Sequence, residues 1–370
     1  MGELKQPAVR LHYYRGRGAL SQPAARFAKT HSEAVVDDWR ADEVNCQEGA
    51  DAVLPPTVLH PAPIRSLINY NNSPDITFDR TINPYRGCEH GCIYCFARPS
   101  HSYLDLSAGL DFETQIYYKP DAAAVLTGEL SKKSYRCRPI VLGANTDAYQ
   151  PAEKKLKLSR AILEILHQSR HPVSLITKST LIRRDLDLLS EMAKQRLVDV
   201  WISVTTIDRE LSRRLEPRTS IPDERLKTIK ALADAGVPTG VIAAPMIPVL
   251  NDHQLEKILA AARNAGAKHA GYILLRLPHE LQTLFKEWLQ QHYPDRMQHI
   301  LNRLRDSHGG ELYQSSFKTR MKGRGWYADM LAKRFKVAYR RLGFTARSQL
   351  DCSQFQPPLA DSAQLTLFSE

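Results

Sequence analysis

Hydrophobic residues between about residue 76 and residue 310 alternate between short continuous runs and runs spaced by three or four positions. Short runs bounded by turn residues are typical of buried strands, and the wider spacing is typical of one face of a helix. Strands are predicted near residues 76–82, 138–143, 173–177, 198–204, 239–247 and 272–277. Helices are predicted between them, with apolar faces over residues 158–166, 186–192, 226–233 and 255–262.

This alternation predicts the fold class. Strands that alternate with helices pair in parallel through right-handed crossovers, so six such units indicate an α/β sheet or a partial barrel. In both architectures the chemistry lies at the carboxyl ends of the strands. Segment 111–137 interrupts the pattern and is predicted to be an inserted hairpin, or a strand followed by a helix.

Four regions differ in composition. Residues 1–73, rich in proline, arginine and histidine, are predicted to form an irregular wrapping arm around a core at 74–310. Residues 311–348 carry ten basic and two acidic side chains and form a predicted basic helical extension. Residues 349–370 are predicted to be a flexible tail. The helix of the extension has an apolar face made of Tyr327, Met330, Leu331, Phe335, Ala338 and Leu342.

Composition and charge narrow the class of protein. The chain is 43% hydrophobic and 25% charged, which is typical of a soluble globular protein. Its net charge of +11 permits a polyanionic partner such as nucleic acid. The longest mostly apolar stretch, 241–250, is broken by two prolines and is too short to span a membrane. Residues 1–10 lack the apolar core of a secretion signal, so the expected location is the cytoplasm.

Three of the six cysteines fall close together. Cys88, Cys92 and Cys95 form a C-x3-C-x2-C motif on the loop after the first predicted strand. In a cytosolic protein such spacing points to metal or redox chemistry, and thiolates suit both zinc and iron–sulfur clusters. Three ligands would leave one iron of a cubane cluster open. The alternative is a structural zinc site completed by His90 or His101.

The remaining cysteines are scattered singly along the chain. They are Cys46, Cys137 and Cys352. The expectation is that they are packing residues, with a solitary redox or hydrogen-donor thiol as the alternative.

The cysteine motif, at the end of the first strand of a six-fold βα repeat, resembles that of the radical S-adenosylmethionine (SAM) enzymes. The resemblance covers about residues 74–310. Finer segments resemble the spore-photoproduct-lyase-like branch, whose members are often described as DNA-repair-photolyase-like. These segments are NPYRGC at 83–88, ANTDAYQP at 144–151, ITK at 176–178, LEPR at 215–218, and APMIP at 244–248 followed by Asn251 and Asp252.

The resemblance implies a partial (β/α)6 TIM-like barrel, a [4Fe-4S] cluster held by the three cysteines, and SAM chelated by the open iron. One-electron reduction, by a donor such as flavodoxin or ferredoxin, would cleave SAM to a 5′-deoxyadenosyl radical that abstracts hydrogen from the substrate. It also implies that Tyr94 lies beside the adenine and that Thr146, Lys178 and Ser203 contact polar groups of SAM. A cation such as Lys178 or Arg218 suits the SAM carboxylate.

One position departs from the branch. Spore photoproduct lyase returns hydrogen from a cysteine just before its Thr-Ser-Asp segment, and the matching residue here is Ala144. Either another group donates hydrogen, with Cys137, Tyr149 and Cys352 as candidates, or the reaction differs from thymine-dimer reversal.

The end of the tail carries a second motif. Gln364, Leu365, Leu367 and Phe368 form a Q-L-x-L-F sequence that resembles the peptide by which bacterial proteins bind the replication sliding clamp. Leucine and phenylalanine would anchor in an apolar pocket while glutamine donates and accepts hydrogen bonds. The alternative is a terminal strand or a docked apolar tail.

Three functions follow as hypotheses. The preferred one is a radical SAM enzyme that acts on a DNA lesion or modified base and is recruited by the clamp, with the basic extension contacting phosphates. The second is a radical SAM enzyme acting on RNA, a peptide or a metabolite. The third is a non-enzymatic nucleic-acid-binding protein with structural zinc or an inert cluster.

Overall fold

The computed structural model describes residues 16–27, 56–347 and 349–358. Cys46 and the clamp-like peptide at 364–368 therefore lie outside the described residues. The strands are β1 (Val58–Pro61), β2 (Asn69–Tyr70), β3 (Arg80–Ile82), β4 (Tyr85–Arg86), β5 (Gln115–Tyr118), β6 (Ile140–Leu142), β7 (Val173–Thr177), β8 (Val198–Ser203), β9 (Thr239–Met246) and β10 (His269–Leu274).

Helices connect these strands. The α-helices are α1 (Asp111–Thr114), α2 (Ala122–Leu130), α3 (Glu153–Leu156), α4 (Leu158–Gln168), α5 (Leu186–Lys194), α6 (Arg209–Leu215), α7 (Pro222–Asp234), α8 (Leu255–Asn264), α9 (Leu281–His292), α10 (Pro294–Ser307) and α11 (Trp326–Arg341). Shorter 3₁₀ turns span Arg98–Leu104, Thr180–Asp185 and Asp252–Gln254. None of the helices in the described ranges combines the length and apolarity needed to cross a bilayer.

The main sheet has the strand order β10-β9-β8-β7-β6-β3-β2. Six of its strands pair in parallel, as the registers Thr81↔Val141 and Val173↔Val198 illustrate. These strands are β3, β6, β7, β8, β9 and β10. Strand β2 alone runs antiparallel, beside β3. The six parallel strands and their connecting helices confirm the predicted α/β architecture, which is that of a partial TIM-like barrel. Because β10 and β2 stand at opposite ends of the order, the barrel is open on one side.

Alternate strand residues face the helices. Val198, Val200 and Ile202 of β8 are buried in the large core with Ile229 and Leu232 of α7. The other face of the strand is covered as well, since five of the six residues of β8 are buried, and burial of both faces explains why such strands read as nearly continuous apolar runs. A second core forms around α9 and α10 and includes Cys92, Tyr94, Phe285 and Trp288.

Segment 111–137 contains the predicted strand and helix, and its strand belongs to a small second sheet. Strand β5 lies between β1, to which it is parallel, and β4, to which it is antiparallel. The sheet therefore joins residues 58–61 of the predicted arm, through β5, to the residues that immediately precede the cysteine motif. The arm is accordingly not irregular throughout, because both β1 and β2 fall within it.

A stretch of chain that we call the C-terminal strap, residues 344–358 apart from 348, crosses the amino ends of the strands. The Thr345 amide donates to the Lys268 carbonyl (2.9 Å), the Asp351 amide to the Arg196 carbonyl (3.0 Å) and the Gln356 amide to the Ser169 carbonyl (2.9 Å). These contacts run from β10 past β8 to β7. The first residues of the predicted flexible tail are thus fixed to the body of the protein.

Arg347 and Phe355 anchor the strap. Arg347 pairs with the buried carboxylate of Asp199 at 2.5 Å. Phe355 packs against the rings of Tyr135 (5.6 Å) and His171 (5.3 Å between centroids). The strap therefore covers the end of the barrel that lies opposite the carboxyl ends of the strands.

The open side of the barrel is bridged by another segment. The Leu274 amide at the end of β10 donates to the Met321 carbonyl (2.9 Å), and Arg320 pairs with Asp75 at 2.5 Å. Asp75 lies in the connection between β2 and β3, so the loop before α11 joins the two edges of the sheet. Helix α11 then packs its apolar face, including Tyr327 and Leu331, onto the main core as predicted.

Candidate active site

The three clustered cysteines lie on one compact loop after β4. Cys88 and Cys92 are buried and Cys95 is half-buried. The Gly91 amide donates to the Cys88 carbonyl (3.4 Å) and the Cys95 amide to the Cys92 carbonyl (3.2 Å), so two turns fold the loop back on itself. All three cysteines consequently line the same cavity.

A fully buried arginine holds this loop in place. Arg98 donates to the carbonyls of Cys92 (2.9 Å) and Gly91 (3.1 Å), and to that of Gly109 (2.9 Å). Its counterion is the equally buried Glu113. A guanidinium has five donors in a fixed plane, which lets one side chain fix several carbonyls of an irregular loop at once.

The N-terminal segment completes this support. The amides of Gly18 and Ala19 donate to the Glu113 carboxylate at 3.0 and 2.9 Å. A β-carbon on Gly18 would lie 1.9 Å from the Gly91 carbonyl oxygen, so only glycine allows the segment to approach the cysteine loop so closely. The described part of the arm therefore buttresses the cysteine loop.

The cavity that the cysteines line has a volume of about 200 Å³. It opens at the carboxyl ends of the parallel strands, where the α/β architecture is expected to place chemistry. Besides the cysteines, polar and aromatic side chains contribute to its wall. They are His90, Tyr94, Phe96, Asn145, Asp147, Thr177, Lys178, Ser203 and Arg276.

A buried polar network behind the cavity wall holds Tyr94 in place. Its hydroxyl donates to the Glu216 carboxylate, which is also the counterion of the buried Arg225. Thr205 donates to the same carboxylate oxygen at 2.8 Å. Because each member is hydrogen-bonded, the network fixes the tyrosine ring at the cavity wall without leaving an uncompensated buried charge.

Lys178 lies on the same side of the cavity. Its ammonium is 5.9 Å from the centre of the Tyr94 ring. Although burial opposes its charge, the neighbouring Cys92 and Glu216 raise the pKa of Lys178. The side chain is therefore a half-buried cation facing the cavity.

Asp147 supplies a carboxylate beside the lysine. It accepts hydrogen bonds from the Thr177 hydroxyl (2.7 Å) and the Lys178 amide (2.8 Å), and it lies 3.3 Å from His90. Burial by itself would favour the neutral acid, but His90 and these donors hold the pKa of Asp147 well below its usual range. Asp147 is thus a fixed anion next to Cys88.

Of the residues expected to contact SAM, three line the cavity. Tyr94, Lys178 and Ser203 come together there. Thr146 does not line it, because its hydroxyl donates to the Tyr85 carbonyl (2.8 Å) beneath the cysteine loop. Arg218 also lies outside, where it pairs with Glu89 at 3.3 Å.

The three hydrogen-donor candidates lie outside the cavity wall. The Tyr149 hydroxyl is buried and donates to Asp185 (3.0 Å). Cys137 precedes β6 and lies at the amino end of the barrel, where its side chain meets that of Cys352 in the strap. Neither cysteine is in a position to reach the centre lined by Cys88.

Five of the polar and aromatic residues that line the cavity were not singled out by sequence reasoning. They are Phe96, Asn145, Asp147, Thr177 and Arg276. Asn145 and Asp147 flank the residue that was chosen, Thr146, and follow the same strand. Arg276 comes two residues after β10. Each of these residues except Phe96 lies at or just after the end of a predicted strand, and that position could have been used to predict it. Phe96 directly follows the last cysteine of the motif.

The donor set fits an iron–sulfur cluster. Burial raises the pKa of the Cys88 and Cys92 thiols, so a site that binds them as thiolates must supply positive charge, as metal centres do. The histidines of the zinc alternative have other partners: His90 faces Asp147, and His101 lies 3.0 Å from the Gln115 carbonyl. In the described residues, no group of three or more His, Cys, Asp or Glu side chains is arranged around a single metal ion.

Comparison with known proteins supports this interpretation. Residues 82–262 match the model of the Radical SAM superfamily. An uncharacterized protein of Mycobacterium tuberculosis is 42% identical over 226 residues, which are 60% of this chain and 66% of the relative. An uncharacterized protein of Methanocaldococcus jannaschii is 27% identical over 223 residues, covering 60% of this chain and 79% of that protein. The chain therefore spans slightly less than two thirds of its mycobacterial relative.

Solved structures share the fold. Spore photoproduct lyase complexed with dinucleoside spore photoproduct superimposes with a TM-score of 0.57 at 15% identity, over 77% of this chain and 80% of that one. A variant of the same enzyme with bound AdoMet (SAM) and the dinucleoside gives a TM-score of 0.56 at 15% identity, over 78% and 82% of the two chains. The family match covers the cysteine loop and four of the six parallel strands, β6 to β9, and residues 82–262 of the chain form a radical SAM domain.

Proposed function

We propose that the protein is a radical SAM enzyme that binds a [4Fe-4S] cluster through Cys88, Cys92 and Cys95 and SAM in the adjoining cavity. The observation that carries this proposal is the position of three cysteines, two of them buried and one half-buried, in one cavity with polar side chains from successive strand ends. When bound, the cluster and SAM supply reductive cleavage to a 5′-deoxyadenosyl radical for hydrogen abstraction. A reductant such as flavodoxin or ferredoxin would deliver the electron.

The protein's own residues bind and orient SAM. Lys178 provides a fixed cation for the SAM carboxylate, and Asp147 provides a fixed anion for its amino group. Ser203, whose hydroxyl lies 3.3 Å from the Ala244 carbonyl, offers a small polar group at the far wall. Tyr94 presents a ring whose hydroxyl the Glu216 network holds in place, which suits contact with the adenine.

The substrate that we favour is a DNA lesion or modified base. The support is the net charge of +11, the basic extension, and the likeness in fold to an enzyme that was solved with a dinucleoside lesion. On α11, Lys333, Lys336, Arg340 and Arg341 are exposed and could contact phosphates. Arg334 is already engaged by Glu256 at 2.7 Å.

The reaction would differ from that of spore photoproduct lyase. Ala144, which matches the hydrogen-donor cysteine of that enzyme, lines the cavity and has no exchangeable hydrogen on its side chain. Neither Cys137 nor Tyr149 replaces it from its observed position. Since none of these candidate donors reaches the cavity within the described residues, we propose that a product radical is quenched by a reductant or by hydrogen returned from 5′-deoxyadenosine.

Anaerobic reconstitution tests the enzyme proposal. Protein loaded with iron and sulfide is reduced with dithionite in the presence of SAM, and 5′-deoxyadenosine is measured by mass spectrometry. We expect 5′-deoxyadenosine from the wild type and from Cys137→Ala, which removes a thiol outside the cavity, but none from Cys92→Ala. Failure of the folded, cluster-loaded wild type to produce 5′-deoxyadenosine would exclude the proposal.

The same assay tests the substrate. UV-irradiated DNA, RNA of matched sequence, and peptide and metabolite extracts are added separately. Stimulation of 5′-deoxyadenosine formation by DNA alone supports the preferred substrate. Stimulation by one of the others shows that the enzyme acts on RNA, a peptide or a metabolite.

Recruitment by the sliding clamp is a separate part of the proposal and places the enzyme in the cytoplasm. Its support is the Q-L-x-L-F sequence at 364–368. Purified bacterial clamp is titrated against the full chain, the Leu367→Ala plus Phe368→Ala variant, and Thr366→Ala at the variable position. Binding by the wild type and Thr366→Ala but not by the double variant is expected. Equal binding by all three would overturn clamp recruitment through this peptide.

A further inference from the structure

Two cations face the cavity from opposite sides. Lys178 lies with Tyr94 and Cys92, while Arg276 lies beyond β10 on the side of Cys95 and Phe96. The proposed SAM site accounts for the lysine. Nothing in that site accounts for the arginine.

Arg276 has no carboxylate partner in the part of the chain that the structure describes. Two arginines that are more deeply buried than Arg276 do have carboxylate partners. Arg98 pairs with Glu113, and Arg225 pairs with Glu216. Burial lowers the pKa of Arg276 from its ordinary value and Arg320 adds to this effect, while the carboxylate of Asp75, which pairs with Arg320, offsets it only in part. A partly buried guanidinium that lacks a counterion stabilises a bound anion more than a solvated or paired one does.

The guanidinium of Arg276 lies over an aromatic ring. Its central carbon is 4.7 Å from the centre of the Phe96 ring. Stacking of this kind uses the face of the guanidinium and leaves its N–H donors free at the edge, where they can form two parallel bonds to a phosphate. Phe96 therefore orients the cation and does not neutralise it.

Phe96 is itself exposed. Its relative exposure of 44% is high for a large apolar side chain at a cavity wall. Exposed aromatic rings beside cations are typical of surfaces that stack nucleobases. A second such pair lies on the bridging loop next to β10, where Arg320 is 4.8 Å from the centre of the exposed Phe317 ring.

We propose that Arg276 and Phe96 form the subsite for a nucleotide of the substrate, in which the guanidinium binds a backbone phosphate and the ring stacks a base. This inference rests on the proposed function and names the group that the same cavity recognises. The subsite lies beside Cys95, on the side of the cavity away from Lys178, so substrate and SAM can be bound together.

Binding measurements on the cluster-loaded protein test the subsite with a readout other than activity. The probes are the phosphodiester thymidylyl-thymidine, its neutral methylphosphonate analogue, and a fluorescein-labelled single-stranded oligonucleotide; SAM is titrated separately. The variants are Arg276→Gln and Phe96→Leu. The matched control is Arg303→Gln, since Arg303 also lies over an exposed ring, that of Trp326 at 5.9 Å, but outside the cavity.

We expect the wild type to prefer the phosphodiester to the methylphosphonate and Arg276→Gln to lose that preference, with a loss of about tenfold in phosphodiester affinity. Phe96→Leu should weaken both probes alike, because it removes stacking and not charge. The slope of log affinity for the oligonucleotide against log salt should fall by about 0.7 in Arg276→Gln. Arg303→Gln should match the wild type, and SAM affinity should stay within about twofold in every variant.

Three results would overturn the subsite. Weaker binding of SAM by Arg276→Gln, with unchanged binding of the oligonucleotide, would assign Arg276 to the SAM carboxylate. Unchanged affinity for every probe would remove Arg276 from recognition altogether. If the wild type bound none of the nucleotide probes but still formed 5′-deoxyadenosine, the subsite would fall while the radical SAM proposal stood.

Discussion

Glu216 accepts the hydrogen bond of the Tyr94 hydroxyl from beneath the cavity. The same carboxylate neutralises Arg225, whose guanidinium is buried and also donates to the Ser203 carbonyl (3.0 Å). One acidic side chain thus links the cysteine loop, the end of β8 and the start of α7. The position of the ring at the cavity wall depends on a residue that does not itself line the cavity.

Glu216→Gln should therefore affect both stability and SAM binding. Removing its charge leaves Arg225 buried without a counterion, which costs about 3–5 kcal/mol of unfolding free energy. Urea unfolding measures that loss, and SAM titration of the cluster-loaded protein measures the accompanying drop in affinity. Tyr94→Phe, which removes only the hydroxyl, should cost about 1 kcal/mol. Equal stability of Glu216→Gln and the wild type would contradict the role of the pair.

Arg98→Met should prevent assembly of the iron–sulfur site although no ligand is changed. The variant loses the donors that fix the Gly91 and Cys92 carbonyls and leaves Glu113 buried and unpaired, at a cost of about 3–5 kcal/mol. Iron and sulfide analysis after reconstitution, together with urea unfolding, checks both effects.

The matched control for this variant is Arg138→Met. Arg138 is mostly exposed and pairs with Asp79 at the surface, so its loss should change stability by no more than about 0.5 kcal/mol. Full cluster content in Arg98→Met would show that the cysteine loop holds its shape without the arginine.

Acid should destabilise the protein through His171. Burial lowers the pKa of this histidine to about 4, against an ordinary value of 6.5, and its ring accepts from the Tyr135 hydroxyl (2.8 Å) and donates to the Pro172 carbonyl (2.9 Å). Between these two pH values the unfolded chain binds the proton and the folded one does not. Stability should therefore fall as the pH drops from 6.5 towards 4, by about 3 kcal/mol in all.

Urea unfolding of the cluster-free protein at several pH values measures this effect. His171→Gln cannot titrate and should show a flatter pH profile between pH 6.5 and pH 4, whereas His253→Gln, at an exposed histidine, should retain the wild-type profile. If His171→Gln keeps the full acid loss, other groups are responsible.

Mild oxidation should join Cys137 and Cys352. The two side chains are hydrogen-bonded across the contact between the strap and the chain before β6. Because burial raises the pKa of Cys137 to about 12, the thiolate is scarce at neutral pH and disulfide formation with diamide should accelerate as the pH rises. Peptide mapping by mass spectrometry detects the bond, which Cys352→Ser should abolish. A preference of Cys137 for any other cysteine would contradict the observed contact.

Much of the fold could be predicted from the sequence because strands and helices buried on one face leave a periodic pattern. Val173–Thr177 and Leu255–Asn264 have the predicted type and nearly the predicted bounds. Strands β1 and β4 have only four and two residues, and their pairing with β5 depends on distant chain, so no local pattern indicated the second sheet.

The sequence predicted the site residues that are close together in the chain, and it missed those that only the folded structure brings to the cavity. The close spacing of Cys88, Cys92 and Cys95 was enough to predict the cysteine loop without knowledge of the fold. The choice between Thr146 and Asp147 depends on the turn at Gly143, whose φ of 85° redirects the chain after β6. The position of Arg276 just after a strand is visible in the sequence, whereas its lack of a carboxylate partner among the described residues is visible only in the structure.

The strap has a consequence for how the protein is made. Synthesis delivers the cysteine loop early and residues 344–358 only long afterwards, so a nascent chain carries its metal ligands on a barrel whose far end still lacks its cover. Arg347 cannot neutralise Asp199 until then. The cysteine ligands are thus synthesised well before the residues that cover the far end of the barrel, and a ribosome that stalls late would leave a chain with all three cysteine ligands and an uncovered barrel end.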